Sequence, residues 1–294
     1  MATAISATRH LKVAVIADAH LGSSHARPKE LRNYLESIKP EILVIAGDLF
    51  DLNALNDGAF SLHQLAIVRR ILNLSSEGTR VYYITGNHET ALARRGNLRL
   101  GNLHVREEAV LSIEGHKYYI FHGDSLTAAV RYRLSNKHLE GSSHKLIGAI
   151  DRLRNRVRLS LGQPPWSLAG EIGRGEHEAL HYEQTFRSLA IRSAQLKGCS
   201  RVICAHIHVP DIKRTLKPTG EETLYLNAGD WVSNLTALEL RAGRWSVYDY
   251  NARDFSDHKS DGIPPASGVE REWIGANHGE VLQHILANGP TPVN

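Results

Sequence analysis

Short, nearly continuous apolar runs recur along the chain, and each is rich in β-branched or aromatic residues. Runs that are apolar at successive positions, rather than at alternate ones, are typical of strands that are covered on both faces. The sequence therefore predicts five buried strands, within LKVAVIADAH (11–20), EILVIAGD (41–48), RVYYITGNH (80–88), KYYIFHGD (117–124) and RVICAHIH (201–208).

Helical spacing fills the intervals between the first three runs. Apolar residues follow the i, i+3, i+4, i+7 spacing of a helix within 31–38, and residues 65–72 do much the same. Strands that alternate with helices indicate an α/β protein with a layered core. Three later segments predict further strands that complete the sheets, namely TLYLNAGDW, NLTALEL and RWSVYDY.

The interval between the fourth and fifth strands, about residues 125–197, is much longer than the others, and we expect a helical insertion there. One helical stripe ends at Gly162, and a second, over 186–196, ends at Gly198. Basic residues crowd the first helix. They form either a solvated face or a surface for anionic substrate groups, since guanidinium binds phosphate in bidentate fashion. They are Arg152, Arg154, Arg156 and Arg158.

Length and composition fit one large globular domain or two small ones. The chain has 294 residues, of which 42% are hydrophobic and 22% charged, and this excludes a disordered or fibrous protein. We expect residues 1–250 to form the domain, with the insertion included. Residues 251–294 lack periodicity and are rich in Gly, Pro and Asn, so we expect a C-terminal loop and flexible tail.

Charge, cysteine usage and hydropathy indicate the kind of partner and the cellular compartment to expect. A net charge of +4 and a pI of about 9.0 favour an anionic partner, such as a phosphate ester, a nucleic acid or an acidic membrane surface. Cys199 and Cys204 match neither a zinc spacing nor a disulfide framework, which favours a reducing, cytosolic location. We expect no signal peptide and no membrane span, because the chain has no run of 18 apolar residues.

Residue types that bind metals follow the end of every predicted strand. The carboxyl ends of strands are where α/β sheets bind ligands, so we expect these side chains to converge. Intervals of roughly one βαβ unit, from the first strand end to the fourth, predict successive crossovers. Carboxylate, amide and imidazole ligands without thiolate suit Mn, Fe or Zn. The residues are Asp18, His20, Asp48, Asn87, His88, His122, Asp124, His206 and His208.

The ordered set DAH, GDLFD, GNHE, HGD and AHIH resembles the signature of the calcineurin-like metallophosphoesterase superfamily. That signature reads D-x-H, G-D-x-x-D, G-N-H-[DE], H and G-H-x-H, and Ala205 stands here where the family usually has glycine. The resemblance implies a layered αββα sandwich with a helical cap insertion. It also implies two divalent cations, with Mn expected and Fe or Zn as alternatives, that share a hydroxide nucleophile.

The resemblance also implies roles for individual residues. Asp18, His20, Asp48 and His208 would bind the first cation, and Asp48, Asn87, His122 and His206 the second, so that Asp48 is the bridge. His88 would act on the transferring phosphoryl group or protonate the leaving oxygen, and Asp51 would orient its imidazole. Alternatively, His88 is only a structural neighbour and Asp51 a turn residue.

Within the superfamily, the chain is most similar to bacterial phosphoesterases of the UDP-2,3-diacylglucosamine pyrophosphatase type. The residues that carry this likeness are HGDSL, GQPPWSLAG and YLNAGDWVSNLTALEL. Enzymes of that type usually carry arginine at the position of His88, and this departure leaves the substrate open. A lipid-linked phosphate substrate would place the protein in the cytoplasm, in peripheral contact with the inner membrane face.

Two other functions stay open at this point. A nuclease-type phosphodiesterase would share GDLFD and GNH and would use the basic charge for nucleic acid. A non-catalytic scaffold would be expected to have lost metal ligands, whereas this sequence retains all seven and His88. The sequence does not predict an oligomeric state.

Overall fold

The computed structural model describes residues 8–52, 54, 60–93, 96–135, 176–216 and 222–251, which form twelve strands and five α-helices. The strands are β1 (Arg9–Ile16), β2 (Ile38–Ala46), β3 (Arg80–Ile84), β4 (Leu98–Leu100), β5 (Leu103–Arg106), β6 (Glu108–Ile113), β7 (His116–Phe121), β8 (Arg201–Cys204), β9 (Asp211–Leu216), β10 (Glu222–Asn227), β11 (Thr236–Arg241) and β12 (Arg244–Asp249). The helices are α1 (Pro28–Glu36), α2 (Leu62–Ser76), α3 (Thr90–Ala93), α4 (Thr127–Ser135) and α5 (Glu176–Leu196).

The strands form two sheets. The first sheet has seven strands in the order β12-β11-β1-β2-β3-β5-β4, and the second has five in the order β6-β7-β8-β10-β9. Neighbouring strands from β1 to β5 in the first sheet are parallel, as are β7, β8 and β10 in the second. All five strands predicted from the apolar runs are therefore confirmed, and so are the three later ones.

Three apolar layers hold the molecule together and confirm the αββα sandwich. The layer between the sheets packs Val13, Val15 and Val44 with Ile120, Ile203 and Leu226, among others. A second layer packs Tyr34, Leu35 and Ile67 of α1 and α2 on the outer face of the first sheet. A third packs Val130 and Phe186 of α4 and α5 on the outer face of the second. None of the described helices combines the length and the apolar character that crossing a membrane requires.

Local sequence signals set the ends of two helices. The Ser61 side chain accepts from the Gln64 backbone N–H, while Gln64 accepts from the Ser61 N–H, and this capping box starts α2. At the end of α5, Gly198 has a φ of +69°, and the Cys199 N–H donates to the carbonyl of Ala194. The predicted glycine stop of this helix is thus a Schellman motif.

The predicted crossover between the third and fourth strand ends is wrong. Between Asn87 and His122 the chain forms β4, β5 and β6, and it passes from the first sheet to the second before β7 begins. The interval has the length of a βαβ unit, but its residues form short strands that pair with β3 and β7.

Only the flanks of the predicted insertion are described. They form α4, which the sequence pattern did not predict, and α5, and both helices belong to the outer layer of the sandwich. The first predicted helical stripe lies outside the described residues, as do its four arginines Arg152, Arg154, Arg156 and Arg158 and the tail from residue 252 onward. The boundaries of the insertion and of the domain stay predictions.

Candidate metal centre

Both sheets contribute side chains to one cluster at the carboxyl ends of their strands. Asp18, His20, Asp48 and Asn87 follow β1, β2 and β3 of the first sheet, and His122, His206 and His208 follow β7 and β8 of the second. The structure thus brings all seven predicted ligand residues together at one end of the sandwich. Asp124 also follows β7, but it is in none of the potential metal-binding groups found among the described residues.

The first group of potential ligands consists of Asp18, His20 and His208. Asp18 Oδ1 lies 3.2 Å from His208 Nε2 and 3.8 Å from His20 Nε2. One ligand atom from each residue lies within 4.8 Å of the others, which is close enough for a single cation to contact all three.

The second group consists of Asp48, His122 and His206, with Asn87 beside it. His122 Nε2 lies 3.2 Å from Asp48 Oδ2, 3.2 Å from Asn87 Oδ1 and 3.2 Å from His206 Nδ1. Asp48 also forms a group with His20 and His88, so its carboxylate lies between the two ends of the cluster. The positions agree with the bridging role expected for Asp48, which stays a prediction.

The electrostatics of the cluster fit a cation. Burial is the largest influence on Asp18 and Asp48 and by itself would raise their pKa, but the neighbouring histidines together, with His122 first among them, lower the pKa of both carboxyls. Burial and the neighbouring His122 lower the pKa of His206 to about 3, which keeps this imidazole neutral. Charged carboxylates, an amide and a neutral imidazole, without a thiolate, are the donor set of a Mn, Fe or Zn site.

Left-handed backbone conformations aim the ligands into the cluster. The φ angles are +49° at Asp18, +46° at His20, +50° at Asp48, +70° at His206 and +56° at His208. Such conformations are uncommon outside glycine and cluster at functional sites. They also show that β8 does not run on through its two histidines, since it ends at residue 204.

Two glycines let the loops approach one another closely. A Cβ atom on Gly86 would lie 2.2 Å from Asp48 Oδ1, and one on Gly47, whose φ is +95°, would lie 2.2 Å from His122 Nδ1. Any side chain at either position would push a predicted ligand out of place.

His88 lies at the open side of the cluster, beside Asp51. Its Nδ1 is 3.1 Å from Asp51 Oδ1, while its Nε2 is 4.0 Å from Asp48 Oδ2, and 19% of its side chain is exposed. The His88 backbone N–H donates to Asp48 Oδ1 at 2.9 Å. The imidazole is therefore held against Asp51 with Nε2 facing the cluster, as expected for the orienting pair, although its catalytic role stays a prediction.

Neighbouring groups fix the ring orientation of two of the predicted histidine ligands. His122 Nδ1 lies 2.9 Å from the carbonyl oxygen of Ala46, to which it donates, so its Nε2 faces the cluster. His206 Nε2 lies 2.8 Å from Thr127 Oγ1, which leaves Nδ1 toward the cluster. Ligating histidines in metal sites are oriented by partners of this kind. Neither partner belongs to the sequence motifs, and pairing at such a distance along the chain leaves no local signal.

Glu89 is a supporting residue to which sequence reasoning assigned no role, although it completes the GNHE motif. Its buried carboxylate accepts hydrogen bonds from the backbone N–H groups of Phe50 at 2.7 Å, Gly86 at 3.0 Å and Asp48 at 3.2 Å, and from the Tyr83 hydroxyl. Burial and then the nearby Asp48 raise the pKa of Glu89 to about 7. Glu89 therefore joins the turn after β3 to the loop after β2.

Replacing Glu89 by alanine is expected to lower the free energy of unfolding by about 3 kcal/mol, because several buried donors lose their acceptor. Urea denaturation followed by circular dichroism measures the change. Glu41→Ala is the matched control, since Glu41 is exposed and its ion pair among the described residues is with Lys12, and we expect a loss below about 1 kcal/mol. An equal loss in both variants would contradict the structural role of Glu89.

A second supporting carboxylate, Asp230, organises the loop beside His208. It accepts from the backbone N–H of Val232 at 2.8 Å and from Asn234 Nδ2 at 2.6 Å, and it lies 3.8 Å from His208 Nδ1. Asn234 Nδ2 also donates to the His208 carbonyl at 2.7 Å, and the Trp231 N–H donates to the Asp18 carbonyl at 3.1 Å. The segment NAGDW, predicted only as a strand, thus ends in a loop that positions two ligands.

Comparisons with known proteins agree with this arrangement. Residues 11–210 match the Calcineurin-like phosphoesterase family, a span that holds all seven residues of the cluster. The UDP-2,3-diacylglucosamine hydrolase of Aliivibrio fischeri is 24% identical over 85% of this chain and 99% of its own length. The UDP-2,3-diacylglucosamine hydrolase of Edwardsiella ictaluri is 25% identical over 77% of this chain and 87% of its own length. A solved phosphoesterase from E. coli covers 82% of this chain and 93% of its own, at 15% identity and a TM-score of 0.39.

Proposed function

This chain belongs to the calcineurin-like phosphoesterase family, and on that premise we propose that it uses two divalent cations to hydrolyse the pyrophosphate bond of a nucleotide-linked lipid. As a member of that family it is a metal-dependent hydrolase of phosphoester or pyrophosphate bonds. The number of cations and the substrate are the proposed part. The observation that carries the proposal is the position of Asp48, which is shared by two groups of potential ligands.

Each proposed site takes its ligands from both sheets. Asp18, His20, Asp48 and His208 would hold one cation, and Asp48, Asn87, His122 and His206 the other. Manganese is the metal that we expect, with iron and zinc as alternatives. When bound, such a pair supplies Lewis-acid stabilisation of phosphoryl oxygens and a hydroxide nucleophile at neutral pH.

His88 would handle the proton of the leaving group. Asp51, at 3.1 Å from Nδ1, would stabilise the imidazolium form, in which both ring nitrogens carry a proton, and Nε2 would face the phosphoryl group. From that position Nε2 donates a hydrogen bond or a proton to the departing oxygen. The partial exposure of the ring leaves access for a substrate at this side of the cluster.

The proposed substrate resembles UDP-2,3-diacylglucosamine. Two similar proteins are named UDP-2,3-diacylglucosamine hydrolase. Their similarity covers most of this chain and extends past the metal motifs. A lipid-linked phosphate would require peripheral contact with the inner membrane face from the cytoplasm. Hydrolysis of its pyrophosphate bond would add water and release UMP and a monophosphorylated sugar lipid.

A substrate panel tests the proposed function. The purified chain is stripped of metal, reloaded with Mn, Fe or Zn, and assayed on UDP-2,3-diacylglucosamine, a bis-aryl phosphodiester and single-stranded DNA. We expect cation-dependent release of UMP, with the highest rate in Mn. Cleavage of DNA alone would favour the nuclease-type alternative, and the absence of cation-dependent hydrolysis of any compound would favour the non-catalytic scaffold.

A further inference from the structure

Basic and aromatic side chains line the first sheet at the edge opposite β12. In the strand register, Tyr82 of β3 lies opposite His104 of β5, which in turn lies opposite Arg99 of β4. Since side chains two residues apart share a face, Arg80 and Arg106 lie on the same side of the sheet. We refer to Arg80, Tyr82, Arg99, His104 and Arg106 as the cationic face.

The cationic face belongs to the inner side of the first sheet, but the second sheet leaves it accessible. Tyr82 packs partly against the apolar layer between the sheets. Arg80 and Arg99 are exposed, and His104 and Arg106 are half-buried. β6 is an edge strand of the second sheet, and the exposure of Arg80 and Arg99 shows that solvent reaches this side of β3 and β4.

The charge of the cationic face is not neutralised by the described residues. Arg9, Arg32, Arg70, Arg187 and Arg214 all form ion pairs with carboxylates, whereas no such pair is found for the three arginines of this face in the part of the chain that the structure describes. The nearby Glu108 is engaged by Lys197 and by the Tyr119 hydroxyl. Burial and then the three arginines lower the pKa of His104, which indicates a positive local field.

Aromatic rings lie among these charges. The Tyr82 and His104 rings are stacked, with centroids 4.9 Å apart and planes 13° from parallel. None of the large exposed apolar side chains of the described residues lies on β3, β4 or β5. The face therefore offers charge and ring surfaces, without the apolar side chains that insert into a membrane.

We propose that the cationic face binds single-stranded nucleic acid. Same-face residues lie about 6.6 Å apart along a strand, and neighbouring strands are about 4.8 Å apart, so the guanidinium groups are spread over an open surface. A single phosphate is bound tightly only by donors that converge on it. In a flexible polyanion, successive phosphates can each bind a different one of the separated guanidinium groups. Bases stack on aromatic rings whatever their sequence, and the half-buried Tyr82 and His104 rings leave part of their stacked pair accessible for this.

The position of the face relative to the metal centre fits this partner. β3 runs from Arg80 to Ile84, and the turn that follows it carries Asn87 and His88. In the strand register Arg106 lies opposite Ile84, the last residue of β3, so nucleic acid on this part of the cationic face would lie toward the metal centre. Binding at this face does not depend on the proposed lipid substrate, and the two are tested separately.

The test uses the metal-loaded full-length chain and a fluorescent phosphorothioate oligothymidine of about 16 nucleotides, the upper site size of a small single-strand binding fold. Fluorescence anisotropy should show binding of the oligonucleotide. The logarithm of the association constant should fall linearly with the logarithm of the salt concentration, with a slope of about −2 for three phosphate contacts. Arg99→Glu with Arg106→Glu should weaken binding at least about tenfold. Tyr82→Leu should weaken it about tenfold without changing the salt slope.

The matched control is Arg241→Glu with Arg244→Glu. It makes the same change in net charge at two exposed positions of the β11–β12 hairpin. This variant should bind within about twofold of the original chain at 0.1 M salt, where distant charges are screened. Unfolding midpoints of all variants verify that each is folded.

Three results would overturn the proposal. The first is the absence of oligothymidine binding, and the second is an equal loss of binding in the control variant, which would assign the effect to net charge alone. The third is salt-dependent binding to vesicles of phosphatidylcholine and phosphatidylserine without binding to the oligonucleotide, which would assign the face to a lipid surface.

Discussion

Replacing Asp48 by asparagine is expected to lower cation-dependent hydrolysis by at least about 10³-fold, the scale reached when preorganised electrostatic stabilisation is lost. The substituted amide would keep the size of the side chain and an oxygen that accepts from the His88 N–H, but it would lose the charge shared by two ligand groups. A neutral amide does not offset the repulsion between two cations. We therefore expect cation content to fall together with activity.

Metal content measured by mass spectrometry and turnover of the bis-aryl phosphodiester check this result. Asp249→Asn is the matched control, because it makes the same chemical change at an exposed position on β12. It should retain full metal content and rate. Two bound cations and an unchanged rate in Asp48→Asn would rule out the bridging role.

Replacing His88 by alanine is expected to lower turnover by about 10² to 10⁴-fold, the usual contribution of general acid catalysis, with cation content unchanged. The structure makes this a sharp test, because His88 also groups with His20 and Asp48 as a potential ligand set. Loss of one cation in His88→Ala would show that the imidazole is a ligand rather than a proton donor. Turnover and metal content are measured on the same preparations.

Asp51→Asn separates orientation from proton transfer. Because Asp51 lies 3.1 Å from His88 Nδ1 and is in none of the potential metal-binding groups found among the described residues, this substitution should lower turnover less than His88→Ala does. Removal of both side chains should be no worse than removal of His88 alone, since the two act as a unit. His10→Ala, at an exposed position on β1, controls for the loss of an imidazole.

The strands and their functional ends could be predicted from the sequence because both signals are local. Val13, Val15 and Ile16 lie in a run that is apolar throughout, and such a run marks a strand buried on both faces. Sheet membership has no such signal. β7 carries the same apolar pattern as β3 but belongs to the other sheet, because pairing depends on packing between segments far apart in sequence.

The candidate site shows the same division between local and distant signals. His122 and Asp48 stand out from the sequence because a polar residue follows an apolar run. Glu89 and Asp230 do not stand out, since their partners are mainly backbone N–H groups, which every segment of sequence contains. The left-handed backbone at His206 was also missed, because it is imposed by tertiary contacts rather than by residue preference.

Because the predicted ligands are divided between the two sheets, a bound cation would also connect the sheets. Apart from the loops, the sheets are held together mainly by apolar side chains such as Val15 and Ile203, whose attraction has no direction, and the Trp245 indole N–H of β12 donates to the Tyr118 hydroxyl of β7. A cation bound by both Asp48 and His206 would join the two sheets at the carboxyl ends of their strands. It would fix the distance and the angle between the sheets at that end. Without the cation, the two sheets should separate first at the carboxyl ends of their strands, while the opposite end of the sandwich stays packed.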